Sequence, residues 1–163
     1  MGYHLNTSLA LKIMVHSSVR SAQHEMAVHS RIDEAHPGRR YVIRLVDGFL
    51  LDKFPCLVFE PHGSELAKRL RKQGPLSHED VRTVARQMLL ALDALHAAGF
   101  AHGDVKPGNI LWDHESKEAR LIDLGWARGR YDRGQSIATQ DYCPPEMLLG
   151  LEMTTAVDLW GLG

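Results

Sequence analysis

Between residues 78 and 98 apolar side chains return every three or four positions, at Val81, Val84, Ala85, Met88, Leu92 and Leu95. That period puts them on one face and predicts a helix. Ser77 suits its N-cap, Asp80 lies in the first turn where the helix dipole favours an anion, and Gly99 suits its stop. Elsewhere the pattern is shorter. Residues 8–15, SLALKIMV, form a strand-like run interrupted by Lys12. Ser17-Ser18 offers N-caps for a helix to about Asp33, with Val19, Ala22, Met26 and Ile32 as its buried stripe and His36-Pro37-Gly38 as its stop. Strands are predicted at 41–47 and 54–60, and at 109–112 and 119–123 on either side of the turn-like Asp113–Ser116. Residues 124–143 are polar, rich in Gly and Arg, and aperiodic, so they read as a long loop, a feature that is commonly functional in compact domains. Pro61-His62-Gly63 separates a part made mainly of strands with one helix from a part made mainly of helices. The expected division is therefore 1–61 and 62–163.

Composition narrows the class. With 163 residues, 44% hydrophobic and 24% charged, the chain is one domain of ordinary size, or a piece of a larger one, with a packed core. Nineteen Lys+Arg against twenty Asp+Glu give a net charge of −1, with no global pull toward nucleic acid or an anionic membrane. Cys56 and Cys143 make no disulfide framework and read as free thiols. No apolar run approaches the roughly 18 residues of a membrane span, and MGYHLNTSLALK does not read as a signal peptide. Cytoplasm or nucleus is the expected location. His24, His29 and His36 are not spaced as a ligand pair one helical turn apart, so they read as surface or cap histidines. Met14, Met26 and Met88 read as core, and Lys68, Arg69, Arg71 and Lys72 as a solvated helix face.

The stretch that carries chemistry is 102–109, His-Gly-Asp-Val-Lys-Pro-Gly-Asn, just after the long helix and just before a strand. Ile122-Asp123-Leu124-Gly125 follows at the end of the next strand. A hairpin would bring the two loops together, gathering two acids, an amide and a lysine. Magnesium prefers oxygen ligands and takes few from the protein, so Asp123 and Asn109 suit the metal. Asp104 can orient a substrate hydroxyl and accept its proton, and Lys106 can neutralise charge on a transferring group. That set suits phosphoryl transfer, where the protein mostly positions and stabilises charge.

These strings resemble the catalytic domain of eukaryotic protein kinases. HGDVKPGNIL is similar to the family's H-R-D-x-K-x-x-N catalytic loop, and LIDLG to its D-F-G magnesium motif. TQDYCPPE at 139–146 resembles the T-x-x-Y-x-A-P-E that closes the activation loop, and DLWGLG at 158–163 resembles D-x-W-S-x-G. LALK at 9–12 resembles the V-A-I-K strand, and LVFE at 57–60 resembles the strand leading to the adenine-reading hinge. The resemblance implies an α+β fold of two lobes, a small N-terminal sheet with one helix and a mainly helical C-terminal lobe, incomplete at both ends. It implies a Ser/Thr protein kinase that uses ATP and Mg2+ on a protein hydroxyl. Lys12 would meet the nucleotide phosphates and pair with Glu25, which lies mid-helix, rather than with Glu34 against the His-Pro break. Phe59 would be the gatekeeper, backbone groups of Glu60 and His62 would bind adenine, and Glu65 would reach the ribose. Thr139 would support Asp104, Glu146 would anchor the structure, and His102 would pack and bond to loop backbone. HPGRRYVIRLVDGF with CLVFEP, a leucine in the magnesium motif and a small residue before Asp104 resemble the SR-protein-kinase branch.

The sequence departs from that pattern in places. No glycine-rich loop stands in the eleven residues before Lys12, and the chain ends within the D-x-W-x-x-G helix. Gly103 replaces an arginine that in many kinases meets a phosphorylated loop, so phosphorylation of Tyr131, Ser136 or Thr139 is expected to be unnecessary for ordering the site. Arg128, Arg130 and Arg133 make the activation loop basic. Two other functions remain open: a small-molecule phosphotransferase of the aminoglycoside- or choline-kinase kind, which shares H-G-D but not Lys106, and a non-catalytic pseudokinase module.

Overall fold

A computed structural model describes residues 8–129, 139–151 and 154–163. Arg130, Tyr131, Arg133 and Ser136 lie outside the described residues.

Three strands, β1 (Ala10–Ile13), β2 (Leu45–Leu51) and β3 (Phe54–Phe59), form an antiparallel sheet in the order β1-β3-β2. Side chains alternate between the faces of a strand. Lys12, opposite Leu57 in the ladder, turns toward helix α1 (Val19–Arg31), whereas Leu11 and Ile13 turn away and are exposed. The strand expected at 41–47 is displaced to 45–51. Arg39–Tyr41 make a 3-10 turn, and the buried Val42 and Ile43 pair elsewhere. Val42 makes a parallel bridge with Leu121, and the Ile43 N–H donates to the Leu121 carbonyl at 2.9 Å.

The rest of the chain supplies α2 (Leu66–Gln73), α3 (His78–Ala97), α4 (Pro145–Leu148) and α5 (Ala156–Leu162). Between them lie β4 (Ser64–Glu65), β5 (Phe100–Ala101), β6 (Ile110–Asp113), β7 (Glu118–Leu121) and β8 (Arg128–Gly129). β4-β6-β7 form one small sheet and β5-β8 another. Helix α3 starts where its cap predicts, with the Asp80 N–H donating to Ser77 Oγ at 3.1 Å. Met88, Ala91, Leu92 and Leu95 bury against Trp112, Leu121 and Leu124 in the larger core. Val81 of the predicted stripe is exposed. Val28, Ile32 and Val42 join the larger core from the first part of the chain, and Leu111 and Ile122 pack on the smaller core of Ala22, Ile43, Leu57 and Phe59. The two cores therefore interlock across residue 61. Among the described residues no helix is long and apolar enough to cross a membrane.

The buried face of α1 differs from the expected apolar stripe, because it holds Glu25 and His29 beside Ala22 and Val28. His29 is not a surface histidine. It is 5% exposed, neither ring nitrogen has a hydrogen-bond partner, and its ring lies tilted against Phe59 with centroids 5.8 Å apart. Burial, aided by the charges of Arg39 and Lys12, pushes its pKa down from 6.5 to about 3. Between those values the unfolded chain binds a proton that the folded chain refuses. Stability contributed by the neutral ring is thus full above pH 6.5 and falls as pH drops toward 3, by up to about 1.4 kcal/mol per pH unit. Urea unfolding at pH 7 and pH 5 should show this loss in the wild type and a smaller loss in His29→Leu. Equal losses in the two proteins would show that His29 is not its source.

Candidate active site

Two groups of polar side chains meet at the β6–β7 hairpin. The first is built on Lys12. Its Nζ donates to Glu25 Oε2 at 2.8 Å and to Asp123 Oδ1 at 2.7 Å, joining β1, α1 and the end of β7. Glu34 instead meets Arg39, at 3.2 Å. Burial works against the Lys12 ammonium, but Glu25 and Asp123 outweigh it and raise its pKa. Complete burial raises the Glu25 pKa against the pull of Lys12, whose ammonium lies 2.8 Å away. Asp123 has φ 64, a left-handed conformation that a non-glycine residue holds only where its surroundings impose it.

The second group is built on Asp104, a largely buried residue. Its Oδ2 accepts from Lys106 Nζ at 2.6 Å and Asn109 Nδ2 at 2.9 Å. Its Oδ1 accepts from the Thr139 hydroxyl at 2.8 Å and the Thr139 N–H at 3.2 Å. Burial alone would raise its pKa, yet the bonds from Lys106 and Thr139 dominate together and lower it, so Asp104 is a carboxylate. Lys106 Nζ also reaches Thr139 Oγ1 at 2.5 Å. The Asn109 amide nitrogen donates both to Asp104 Oδ2 and to the Asp104 carbonyl, which leaves its Oδ1 as the end suited to a cation.

Ile122 ties the groups together. Its N–H donates to the Asn109 carbonyl at 3.0 Å, and its carbonyl accepts from His102 Nε2 at 2.9 Å. The fully buried His102 takes the Asp104 N–H on Nδ1 at 3.2 Å. This fixes the neutral tautomer with its hydrogen on Nε2, and His102 packs and bonds to backbone as the sequence suggests. Asp123 follows Ile122 directly, so one hairpin end positions both groups.

Asp158 supports the loop from below, a role the sequence reading did not assign. It is fully buried, and Oδ2 accepts from the His102 N–H at 2.8 Å and His96 Nε2 at 2.7 Å, while Oδ1 accepts from the Gly103 N–H at 2.8 Å. Gly103 has φ 79, which explains a glycine where the loop turns onto Asp158. At Gly161 a Cβ would lie 2.5 Å from the Val105 carbonyl, so α5 comes as close to the loop as a glycine permits.

The adenine-side candidates run along the segment from β3 to α2. Phe59 is buried, and the Glu60 N–H is already bonded to the Arg44 carbonyl at 3.1 Å, which leaves the Glu60 carbonyl for a ligand. The Glu60 side chain meets Arg44 at 3.4 Å and Arg120 at 3.9 Å. His62 Nε2 donates to the Glu118 carbonyl at 3.0 Å, and Glu65 holds Lys68 at 2.5 Å. Among the described residues, no hydrogen bond or ion pair joins these side chains to the Lys12 or Asp104 groups. An apolar groove of about 940 Å³ opens beside Lys106 and Pro107, lined by Leu66, Leu70, Leu76, Val84 and Trp160; it includes neither Lys12 nor Asp123.

The site thus presents a paired lysine, an oxygen-ligand pair and a carboxylate–lysine–threonine cluster, contributed by β1, the loop before β6, the end of β7 and the segment at Thr139. The protein kinase domain family profile matches residues 3–163, and the chain belongs to that family. It is 30% identical to Serine/threonine-protein kinase Aurora-1 of Arabidopsis thaliana over 97% of this chain and 54% of that protein. It is 35% identical to Aurora kinase of Schizosaccharomyces pombe over 95% of this chain and 44% of that protein. The chain therefore spans about half the length of these relatives. A crystal structure of a kinase domain superposes with a TM-score of 0.88 at 24% identity, over 99% of this chain and 56% of that one, and it shows the same α+β protein-kinase fold.

Proposed function

We propose that the chain carries out the chemistry of a Ser/Thr protein kinase, transferring the γ-phosphoryl group of ATP to a protein hydroxyl. The observation that supports it most is the double anchoring of Ile122, which ties the strand end carrying Asp123 to the loop of His102 and Asn109. Asn109 Oδ1 and the Asp123 carboxylate are hard oxygen ligands on adjoining loops, which fits Mg2+. Bound there, Mg2+ would neutralise phosphate charge. Lys12, held ready by Glu25, binds the α/β-phosphates. Asp104 aligns the acceptor hydroxyl and takes its proton, while Lys106 offsets charge on the transferring group and, with Thr139, keeps Asp104 in place. The Glu60 carbonyl and the backbone of His62 bind adenine beside Phe59, and Glu65 binds ribose once it leaves Lys68.

The division into 1–61 and 62–163, an SR-protein-kinase-like subgroup, and a cytoplasmic or nuclear location belong to the same proposal. Leu124 in the magnesium motif and Gly103 before Asp104 support the subgroup. Arg-rich substrates fit poorly, because the basic activation segment would repel them. The Lys106–Thr139 bond favours a protein acceptor, since the small-molecule phosphotransferases that share H-G-D lack that lysine. Incubation with labelled ATP, Mg2+ and a panel of Ser/Thr peptides, aminoglycosides and choline should label peptides alone. Labelling of an aminoglycoside or choline instead would overturn the reading.

A further inference from the structure

We infer that His24 is a positioning residue, a latch that fastens helix α1 to the turn carrying Asp123. The inference rests on the reading of Asp123 as the metal-binding residue. His24 Nε2 lies 2.7 Å from the Ala127 carbonyl. A carbonyl can only accept, so Nε2 carries the hydrogen. Ala127 is fully buried, and its own N–H donates to the Leu124 carbonyl at 3.1 Å, closing the 3-10 turn Leu124–Trp126.

His24 and Glu25 are neighbours on α1, and they grip opposite ends of one short segment. Glu25 reaches Asp123 through Lys12, by bonds of 2.8 and 2.7 Å, and His24 holds Ala127 directly. Between the two ends, a Cβ on Gly125 would sit 3.3 Å from Glu25 Oε2, so helix and turn are in close approach. Asp123 holds a left-handed φ of 64 that needs such external support. The latch uses an imidazole and a backbone carbonyl.

Losing the donor leaves a buried carbonyl unsatisfied and frees one end of the turn. Two variants separate the hydrogen bond from the volume of the ring: His24→Phe keeps the bulk without the donor, and His24→Gln supplies an amide N–H of similar reach. In the ligand-free protein, amide exchange over residues 124–128 should accelerate roughly tenfold in His24→Phe and stay near wild type in His24→Gln. ADP titrated with and without Mg2+ should show the metal-dependent gain in affinity falling roughly tenfold in His24→Phe and surviving in His24→Gln, with metal-free ADP affinity alike in all three. Wild-type exchange in His24→Phe, or equal acceleration in the two variants, would overturn the latch. A wild-type protein that binds ADP equally with and without Mg2+ would instead overturn the metal-site reading, and the exchange rates of the ligand-free protein would still decide the latch.

Discussion

Asp104→Asn should lower phosphoryl transfer to a peptide by roughly 10²–10⁴-fold, the range expected for loss of a positioned proton acceptor. Asparagine matches the shape of aspartate but keeps one acceptor oxygen, so it can accept from Lys106 and Asn109 or from Thr139 but not from both sides. The Lys12–Glu25–Asp123 group is untouched, so the KM for ATP should stay close to wild type. The change removes the charge and the site that takes the hydroxyl proton. Because Lys106 and Thr139 hold the Asp104 pKa below its ordinary value against the effect of burial, this group stays ionised across the neutral range. The wild-type rate should therefore show no loss assignable to Asp104 between about pH 5 and pH 8. Steady-state rates for the two proteins test this directly, and a variant within tenfold of wild type would remove Asp104 from the chemistry.

Asp158→Ala should have the opposite profile, with a large loss of stability. Three donors converge on this fully buried carboxylate: the backbone N–H groups of His102 and Gly103, and His96 Nε2. Removing it strands them and detaches α5 from the loop. A loss of about 3–5 kcal/mol is expected, a third or more of the stability of an ordinary domain. Urea unfolding measures it, and a midpoint close to wild type would show that the loop is held by other contacts. The contrast would separate an acid proposed to do chemistry from one that holds the loop in place, although both stand in short motifs that look equally functional in sequence.

The features legible in sequence are local. Helix α3 follows from its period and its Ser77 cap, and once the kinase resemblance implies a glutamate partner for Lys12, the mid-helix position of Glu25 selects it over Glu34. The spacing of Asp104, Lys106 and Asn109 within one loop was readable because a single tight turn brings them together. Features that depend on distant pairing were not legible. Residues 41–47 are apolar enough for a strand of the first sheet, yet Val42 and Ile43 are claimed by Leu121, far along the chain. The two-residue pairing of β5 with β8 has no periodic signal at all. His29 and Glu25 lie inside the buried face of α1, where a hydrophobic pattern registers only gaps. Asp158 sits in a recognisable string, but two of its three partners are backbone groups that no side-chain pattern records, and the third, His96, is far away in sequence.

The central claim is that Lys12, Asp104, Lys106, Asn109 and Asp123 serve one metal–nucleotide site. Calorimetric titration of ATP into the wild-type protein and Asp123→Asn, each with Mg2+ and with EDTA, tests it most directly. Tighter wild-type binding with Mg2+ that disappears in Asp123→Asn is the predicted result. Wild-type affinity indifferent to Mg2+, or a metal effect that persists in Asp123→Asn, would contradict it.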